Sequence, residues 1–465
     1  MALIACLSFW KPSHFTAISY YGKKIACERA ALTVPEVRTD PNSNKIEVSY
    51  VRLRSFSDRP EAPIFFLAGG PGHDATSQAE NAGYLEYWSE LLKTRDVVLI
   101  DQRGVGKLKL WWINLRWPPP DFFISSDVAA EHFSVMATKA AKVFQRRGID
   151  LNGYNSIESA HDIDAVRKKL AYEKIIPFGF SYGTHLIQAY VKYHEDSVEK
   201  IISIGSEGLG HTFKMPFDLD NQFKKISSIV SSDSILEKRI PDFVELYHKA
   251  AQKLKTNPIE IEIRTPIKIK RKVKVGKFGL DYILKRDLGD ANDIPYFPRV
   301  LYSIAHGNGE ALQYYVEKRF KEFMGIPGMM LSMDLASGGS VQRIENILEQ
   351  ENESMFGSVA NFPFLDLHKK WPIKDLGTDF RKLVRSEVPA LFLSGSLDIN
   401  TPAYQAEIIK SGYPNSTHLV VENAGHEQIQ HHKEMTATII DFINGKDVSG
   451  KNMSYPTLQF KSLNK

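Results

Sequence analysis

Short runs of apolar residues recur along the chain, and each is typical of a strand buried on both faces of a parallel sheet. These runs lie at residues 64–67, 97–100, 175–178, 200–204, 390–393 and 418–421. Before them, residues 45–53 alternate polar and apolar side chains, which predicts a strand with one exposed face. Helical periodicity separates the strands, at residues 79–92, 128–146, 156–170, 182–193, 403–411 and 433–443. This alternation predicts an α/β fold with a mostly parallel sheet.

The alternation stops between about Gly208 and Glu387. That stretch is mainly helical in pattern, and its alternating segment at residues 259–275 predicts a hairpin that turns at Thr265-Pro266. We therefore expect a second, smaller domain inserted between two strands of the first. The predicted organisation is an N-terminal segment at 1–25, an α/β core at 26–207 and 388–465, and an inserted domain at 208–387.

The basic residues of this hairpin could be interpreted as a nucleic-acid-binding patch, but an exposed strand face is the favoured interpretation. They alternate with isoleucine and valine, so they fit one solvated face of a strand, where positive charge also discourages edge pairing. The whole chain of 465 residues carries 59 basic and 55 acidic side chains, a formal net charge of +4. Because this balance is nearly even, we predict no nucleic-acid partner.

The first ten residues form an apolar run that is too short to span a bilayer. The sequence Leu-Ile-Ala-Cys that ends at Cys6 resembles a bacterial lipobox, which would make Cys6 an acylated anchor if translation began upstream. The alternative is a short apolar start that packs on the domain or frays. Cys27 is the second of two cysteines, so a disulfide framework is excluded. We expect no transmembrane segment, and a periplasmic, secreted or lipid-anchored protein rather than a cytoplasmic one.

The sharpest local motif is Gly-Phe-Ser-Tyr-Gly at residues 179–183, between a predicted strand and a predicted helix. A serine on such a tight turn presents its hydroxyl at the carboxyl edge of the sheet. We therefore predict Ser181 as a nucleophile. Serine needs a base and an orienting carboxylate, and His426 and Asp398 each follow a predicted strand in the expected order. The neighbouring histidines 431 and 432 lack the spacing of a zinc site, so no metal is predicted.

Acyl transfer also needs hydrogen-bond donors for the developing oxyanion. The turn Ala-Gly-Gly-Pro-Gly at residues 68–72 follows a predicted strand and can aim a backbone N–H into the site. We assign this role to the amides of Gly70 and Tyr182. A phosphate-binding loop is disfavoured, since neither this turn nor residues 104–107 complete a Walker pattern. No cofactor is predicted.

Five motifs together carry a resemblance to a known family. They are AGGPG, DQRGVG at residues 101–106, GFSYGTHL, GSLDINTP and AGH, in that order. The chain resembles the peptidases of the proline iminopeptidase and tripeptidyl aminopeptidase family from about Ala26 to the helix after His426. The resemblance implies an α/β-hydrolase fold with a large, mainly helical lid at residues 208–387. Two positions depart from the family pattern, Ala68 for histidine and Leu108 for serine.

The resemblance also implies how substrate is recognised. Family members bind the free amino terminus of a peptide under the lid, and carboxylates suit an ammonium group. Glu207, at the end of a predicted strand, is our first candidate for this role, and Asp334 is the second; the alternative for both is a surface or capping carboxylate. Asp101 and Arg103 of the DQRG turn are expected to form a structural ion pair that braces the oxyanion loop.

The resulting hypothesis is a serine exopeptidase that releases N-terminal residues or short peptides through an acyl-enzyme. An esterase with the same triad is the first alternative, because a fold does not fix a substrate. A catalytically silent binding module is the second. The expected partner is a peptide or a small acyl substrate, and the sequence predicts no oligomeric state.

Overall fold

The computed structural model describes residues 12–105, 113–114, 117–368 and 370–463. Cys6, with the lipobox-like sequence, and Leu108 lie outside the described residues. Within them, ten strands form one sheet in the order β1-β2-β3-β5-β4-β7-β8-β12-β13-β14. The strands are β1 Ser13–Ile18, β2 Lys24–Pro35, β3 Lys45–Leu53, β4 Glu61–Leu67, β5 Arg95–Ile100, β6 Ile113–Asn114, β7 Ile176–Phe180, β8 Ile201–Ile204, β9 Ile259–Arg264, β10 Lys270–Val275, β11 Gly325–Ile326, β12 Ala390–Gly395, β13 Ser416–Glu422 and β14 Met453–Ser454.

The sheet is antiparallel at the end that holds β1, β2 and β3, and parallel from β5 to β14. All seven strands predicted from apolar runs or alternation are present within it. The two strands nearest the N-terminus, β1 and β2, were not predicted. They begin before Ala26, so the sheet takes in part of the segment that we expected to lie outside the core.

Helices cover both faces of the sheet. They are α1 Ala82–Ser89, α2 Ser126–Arg146, α3 Ser156–Lys169, α4 Tyr182–His194, α5 Pro216–Ser231, α6 Phe243–Thr256, α7 Lys277–Asp287, α8 Phe297–Ala305, α9 Glu310–Phe320, α10 Gly328–Ser337, α11 Val341–Glu353, α12 Phe364–Leu367, α13 Gly377–Phe380, α14 Ala403–Lys410 and α15 Met435–Ile443. Strand β4 shows why both faces are needed. Phe65 and Leu67 pack with α2, α3 and α4, whereas Ile64 and Phe66 pack on the opposite face with α1 and α15.

The chain between β8 and β12 contains the helices α5 to α13 and the hairpin β9–β10. Apolar residues of α5 to α11 belong to the same hydrophobic cluster as one face of the sheet. The hairpin is antiparallel, as predicted. Two of its lysines pair across the strands, Lys270 with Glu262 at 2.6 Å and Lys272 with Glu260 at 2.7 Å. Part of the positive charge on this face is therefore neutralised locally.

No helix in the part of the chain that the structure describes is long and apolar enough to cross a membrane.

Candidate active site

Ser181 lies on a sharp turn between β7 and α4. Its backbone has φ 55° and ψ −126°, a strained conformation for a residue with a side chain. The turn is held on both sides: the Ser181 N–H donates to the Ile204 carbonyl at 2.9 Å, and the Thr184 hydroxyl donates to the Ser181 carbonyl at 2.6 Å. This strand–turn–helix geometry is the one predicted from the sequence motif.

The two glycines of the motif are required by close backbone contacts. A Cβ at Gly183 would lie 1.9 Å from the Leu67 carbonyl oxygen, and a Cβ at Gly179 would lie 2.6 Å from the Gly183 carbonyl carbon. Neither position leaves room for a side chain. The glycines thus allow the turn to pack directly against the end of β4, where the predicted oxyanion loop begins.

His426 and Asp398 lie together at the carboxyl ends of β13 and β12. The His426 Nδ1 and the Asp398 Oδ2 are 2.8 Å apart, and both residues are about 5% exposed. Asp398 accepts three further hydrogen bonds, from the Asn400 and Thr401 amides and from the Thr401 hydroxyl. The carboxylate is therefore fixed in position and points at the ring.

The electrostatics of this pair are those of a coupled acid and base. Burial alone would lower the pKa of His426, but the carboxylate of Asp398 more than offsets burial, so the net pKa of His426 is raised. Burial likewise acts to raise the pKa of Asp398, and the nearby His426 together with the hydrogen bonds from Thr401 hold it below its ordinary value. The imidazole is thereby made a stronger base than a free one.

Ser181 and His426 line the same cavity, whose volume is about 310 Å³. The ring of Phe180, which precedes Ser181, lies 4.9 Å from the His426 ring, centroid to centroid. The strand order explains this meeting, because β4, β7, β8, β12 and β13 are consecutive neighbours and all end at the same edge. The sheet thus brings the distant side chains to one place.

The predicted oxyanion loop also borders this cavity, through Gly70. Gly70 has φ +114°, which favours glycine, and a Cβ there would lie 2.6 Å from the Gly72 amide. The loop is held by Gln102, which is buried: its amide group donates to the Ala68 carbonyl at 2.8 Å and accepts from the Gly72 amide at 2.9 Å. The role of Gln102 was not predicted from the sequence, although it is the second residue of the DQRG turn.

The prediction of an ion pair between Asp101 and Arg103 is wrong. Arg103 instead pairs with Asp162 at 2.8 Å, far along the chain on α3. Asp101 accepts hydrogen bonds from the Ala75 and Thr76 amides, both at 2.9 Å. Burial raises its pKa to about 7, with a further contribution from a neighbouring carboxylate. Both residues therefore make structural contacts, but with different segments: Asp101 with residues 75–76 and Arg103 with α3.

Glu207 lies at the end of β8 and lines the cavity. The Lys214 ammonium donates to its Oε2 at 2.7 Å, and the side chain of Glu207 is 8% exposed. Its backbone N–H donates to the hydroxyl of Thr184 at 2.7 Å, which joins it to the turn at Ser181. Burial acts to raise the pKa of Glu207, and Lys214 with His185 brings it below its ordinary value. The carboxylate is thus charged and already paired.

Asp334, on α10, lines the same cavity but differs from Glu207 in its partners. Among the described residues, none donates a hydrogen bond to its carboxylate or forms an ion pair with it. Burial, and then the negative charge of Glu207, raise its pKa well above the ordinary value. Asp334 is therefore a half-buried carboxyl group without a partner among the described residues, in the cavity that Ser181 also lines.

The chain between β8 and β12 also supplies cations to the cavity that have no signature in the sequence. Lys214, Lys285 and Arg286 line the cavity, together with one further carboxylate, Glu427. No local pattern marks Lys214, Lys285 and Arg286, because only the tertiary fold brings them to the cavity that Ser181 also lines.

The histidines after His426 take no part in this cavity. His431 borders a separate cavity beside α1, and the His432 ring contacts the Ser454 carbonyl at 3.3 Å. Within the described ranges, no group of three or more His, Cys, Asp or Glu residues is arranged to hold a metal ion.

Comparison with known proteins gives a match to the family model described as the alpha/beta hydrolase fold, over residues 62–430. The tripeptidyl aminopeptidases of Streptomyces lividans and Streptomyces coelicolor are each 26% identical over 189 residues, which is 39% of this chain and 35% of each relative. The match thus spans about a third of the length of these relatives.

Solved structures that resemble the chain include a thermophilic esterase from Thermogutta terrifontis, at 15% identity and a TM-score of 0.37, over 89% of this chain and 99% of the esterase. A bromoperoxidase from Bacillus anthracis is 14% identical with a TM-score of 0.39, over 89% of this chain and all of the other.

Proposed function

Since this chain belongs to the alpha/beta hydrolase family, we propose that it is a serine hydrolase with Ser181 as nucleophile. Its hydroxyl oxygen attacks the substrate carbonyl carbon while His426 accepts the hydroxyl proton. The same proton passes to the leaving group as its bond to the carbonyl carbon breaks, which leaves an acyl-enzyme. Water, deprotonated by His426, then releases the acyl group and restores Ser181. Asp398 orients the imidazole and stabilises its protonated form.

The oxyanion of each tetrahedral intermediate is stabilised by the backbone amides of Gly70 and Tyr182. Tyr182 is the first residue of α4, so its amide carries the partial positive charge of a helix N-terminus. The loop that contains Gly70 is held in position by the hydrogen bonds of Gln102 with Ala68 and Gly72. We propose that Ala68, at the usual histidine position of the family, leaves this arrangement intact because Gln102 supports the loop instead.

We propose that the substrate is a peptide with a free amino terminus and that the enzyme is an exopeptidase. The observation that carries this proposal is the presence of two carboxyl groups, Glu207 and Asp334, in the cavity that Ser181 and His426 line. A substrate ammonium group would be held between them, in a partly desolvated site. Residues 208–387 act as the lid, because they supply Asp334 and cover the cavity.

The two carboxyl groups do not contribute equally. Glu207 is already paired with Lys214, whereas Asp334 has no such partner among the described residues. We therefore propose, contrary to the order of the sequence prediction, that Asp334 is the principal contact of the ammonium group. An ammonium group beside Asp334 would act to bring the pKa of that carboxyl group back down.

The test is hydrolysis of aminoacyl and tripeptidyl arylamides, each with a free and with an acetylated amino group. Wild type is expected to prefer the free form, Ser181→Ala to be inactive, and Asp334→Asn to lose the preference mainly through KM. Asp379→Asn is the matched control, because this carboxylate is 83% exposed on the surface. Equal rates on free and acetylated substrates would contradict the exopeptidase. Turnover of acyl esters without any amide hydrolysis would identify an esterase instead.

A further inference from the structure

The cavity that Ser181 lines contains positive as well as negative side chains. Its three cations, Lys214, Lys285 and Arg286, differ in their hydrogen-bond and ion-pair partners. The Lys214 ammonium is bound to Glu207. Arg286 is 42% exposed and pairs with Glu322 at 3.3 Å. Lys285 forms neither a hydrogen bond nor an ion pair with any residue that the structure describes. It is the unsatisfied cation of this set.

Lys285 is also poorly placed to be satisfied by water. It lies half-buried near the end of α7 and lines the cavity. Its ammonium nitrogen lies 6.0 Å from the centroid of the Tyr282 ring, on the same helix. The charged groups that face it from other elements are those of Lys214, Arg319, Glu322 and Asp334.

The balance of these charges leaves Lys285 short of a counterion. Burial, and next to it Arg286, lower its pKa to about 7, and Glu322 opposes this only in part. Glu322 already accepts hydrogen bonds from Arg319 and from Tyr282. A carboxylate that entered the cavity would therefore meet an ammonium group that forms no hydrogen bond or ion pair with the described residues, in surroundings that weaken its hydration.

We propose that Lys285 binds a carboxylate of the substrate, so that the cavity recognises a short peptide carrying both an amino group and a nearby carboxylate. This inference rests on the proposed peptidase function and specifies its substrate class. The cavity volume of about 310 Å³ lies at the lower end of the range for ligand sites, which suits a short peptide segment. The carboxylate has two chemical sources, an acidic side chain or the free carboxyl terminus of the peptide.

The experiment uses matched peptide pairs that separate these sources. One pair differs by glutamate against glutamine within the first three positions, and the other by a carboxyl-terminal acid against an amide. Cleavage is followed by mass spectrometry with wild type, Lys285→Met, Lys285→Arg and the control Lys249→Met, whose lysine is 65% exposed on α6.

We expect wild type to prefer the acid member of at least one pair by about 10- to 100-fold in kcat/KM, the range of one charge-assisted hydrogen bond. Lys285→Met should remove that preference, because the acid member loses its contact with the ammonium group. Lys285→Arg and Lys249→Met should retain it. Absence of a preference in wild type, or its persistence in Lys285→Met, would overturn the proposal. If Lys285→Met fails to fold, the absence of a preference in wild type still overturns the proposal.

Calorimetric binding of the same pairs to Ser181→Ala separates this inference from the proposed function. If wild type cleaves no peptide, the exopeptidase proposal fails, yet tighter binding of the acid member, abolished by Lys285→Met in the same background, would still support the carboxylate site. Equal binding of both members would refute the site independently of any turnover.

Discussion

Replacement of Lys214 by methionine tests the claim that Glu207 forms an ion pair with Lys214 when no substrate is bound. The substitution keeps much of the length of the side chain but removes the ammonium group that lies 2.7 Å from Glu207. The carboxylate, 8% exposed, is then left in the cavity without its principal counterion. Breaking a buried pair in this way is more harmful than replacing both partners, because one buried charge remains uncompensated.

The expected cost follows from the burial of the two partners. Loss of one member of a buried pair costs about 3–5 kcal/mol, and we take the lower end, about 3 kcal/mol, because the Lys214 side chain is 25% exposed. For a chain of 465 residues, the unfolding entropy is about 1 kcal/mol per kelvin. Lys214→Met should therefore lower Tm by about 3 °C at pH 7. Glu207→Gln should lower it less, since its amide oxygen still accepts from Lys214.

The assay is thermal unfolding of the two single variants and the double variant, Glu207→Gln with Lys214→Met. The double variant should be more stable than the sum of the single effects allows. The folded pKa of Glu207 lies below its unfolded value, so the pair stabilises fully above about pH 4.3 and loses its contribution as pH falls through the folded pKa. The difference between wild type and Lys214→Met should shrink in that acid range. Additive effects, or an unchanged Tm in Lys214→Met, would refute the reasoning.

Three other substitutions test the site. The wild-type kcat/KM should rise with pH through a midpoint above 6.5, because only the neutral His426 ring accepts the proton and its pKa is raised. Asp398→Asn should lower this midpoint and reduce kcat/KM by about 10⁴-fold. A midpoint that is the same in Asp398→Asn as in wild type would contradict the coupling of His426 to Asp398. Gly183→Ala places a Cβ 1.9 Å from the Leu67 carbonyl oxygen and should lower Tm by several degrees or prevent folding. The control Gly450→Ala, whose Cβ meets open space, should have the Tm of wild type. Similar Tm values for the two variants would contradict the close packing of Gly183 against β4. Gln102→Leu should reduce kcat by about 10- to 100-fold with KM nearly unchanged, as measured by steady-state kinetics, and full activity would mean that the loop needs no support.

The sequence predicted the elements whose pattern is local. Each buried strand is a run of apolar residues because both of its faces are covered, and the turn at Ser181 has a motif because its glycines meet the backbone directly. The order of Ser181, Asp398 and His426 along the chain, combined with the rule that sites lie beyond the carboxyl ends of parallel strands, predicts that they lie at one edge of the sheet. In the structure His426 and Asp398 are hydrogen-bonded, and Ser181 and His426 line one cavity.

Partners that depend on distant segments could not be predicted in the same way. The DQRG motif suggested a pair between neighbours, but Arg103 turns to Asp162 on α3 because that helix packs beside it. Lys214 and Lys285 reach the cavity from the chain between β8 and β12, whose sequence pattern predicts helices but not how those helices pack on the sheet. The strands β1 and β2 were missed because they lack the continuous apolar runs that marked the central strands.

The most direct test of the central claim is covalent labelling with a fluorophosphonate, followed by mass spectrometry of the digested protein. The serine oxygen displaces fluoride from phosphorus, so the label marks an activated nucleophile whatever the natural substrate. We predict a single adduct on the peptide that contains Ser181, much slower labelling of His426→Ala, and none of Ser181→Ala. An adduct on a different residue, or equal labelling of Ser181→Ala, would contradict the assignment.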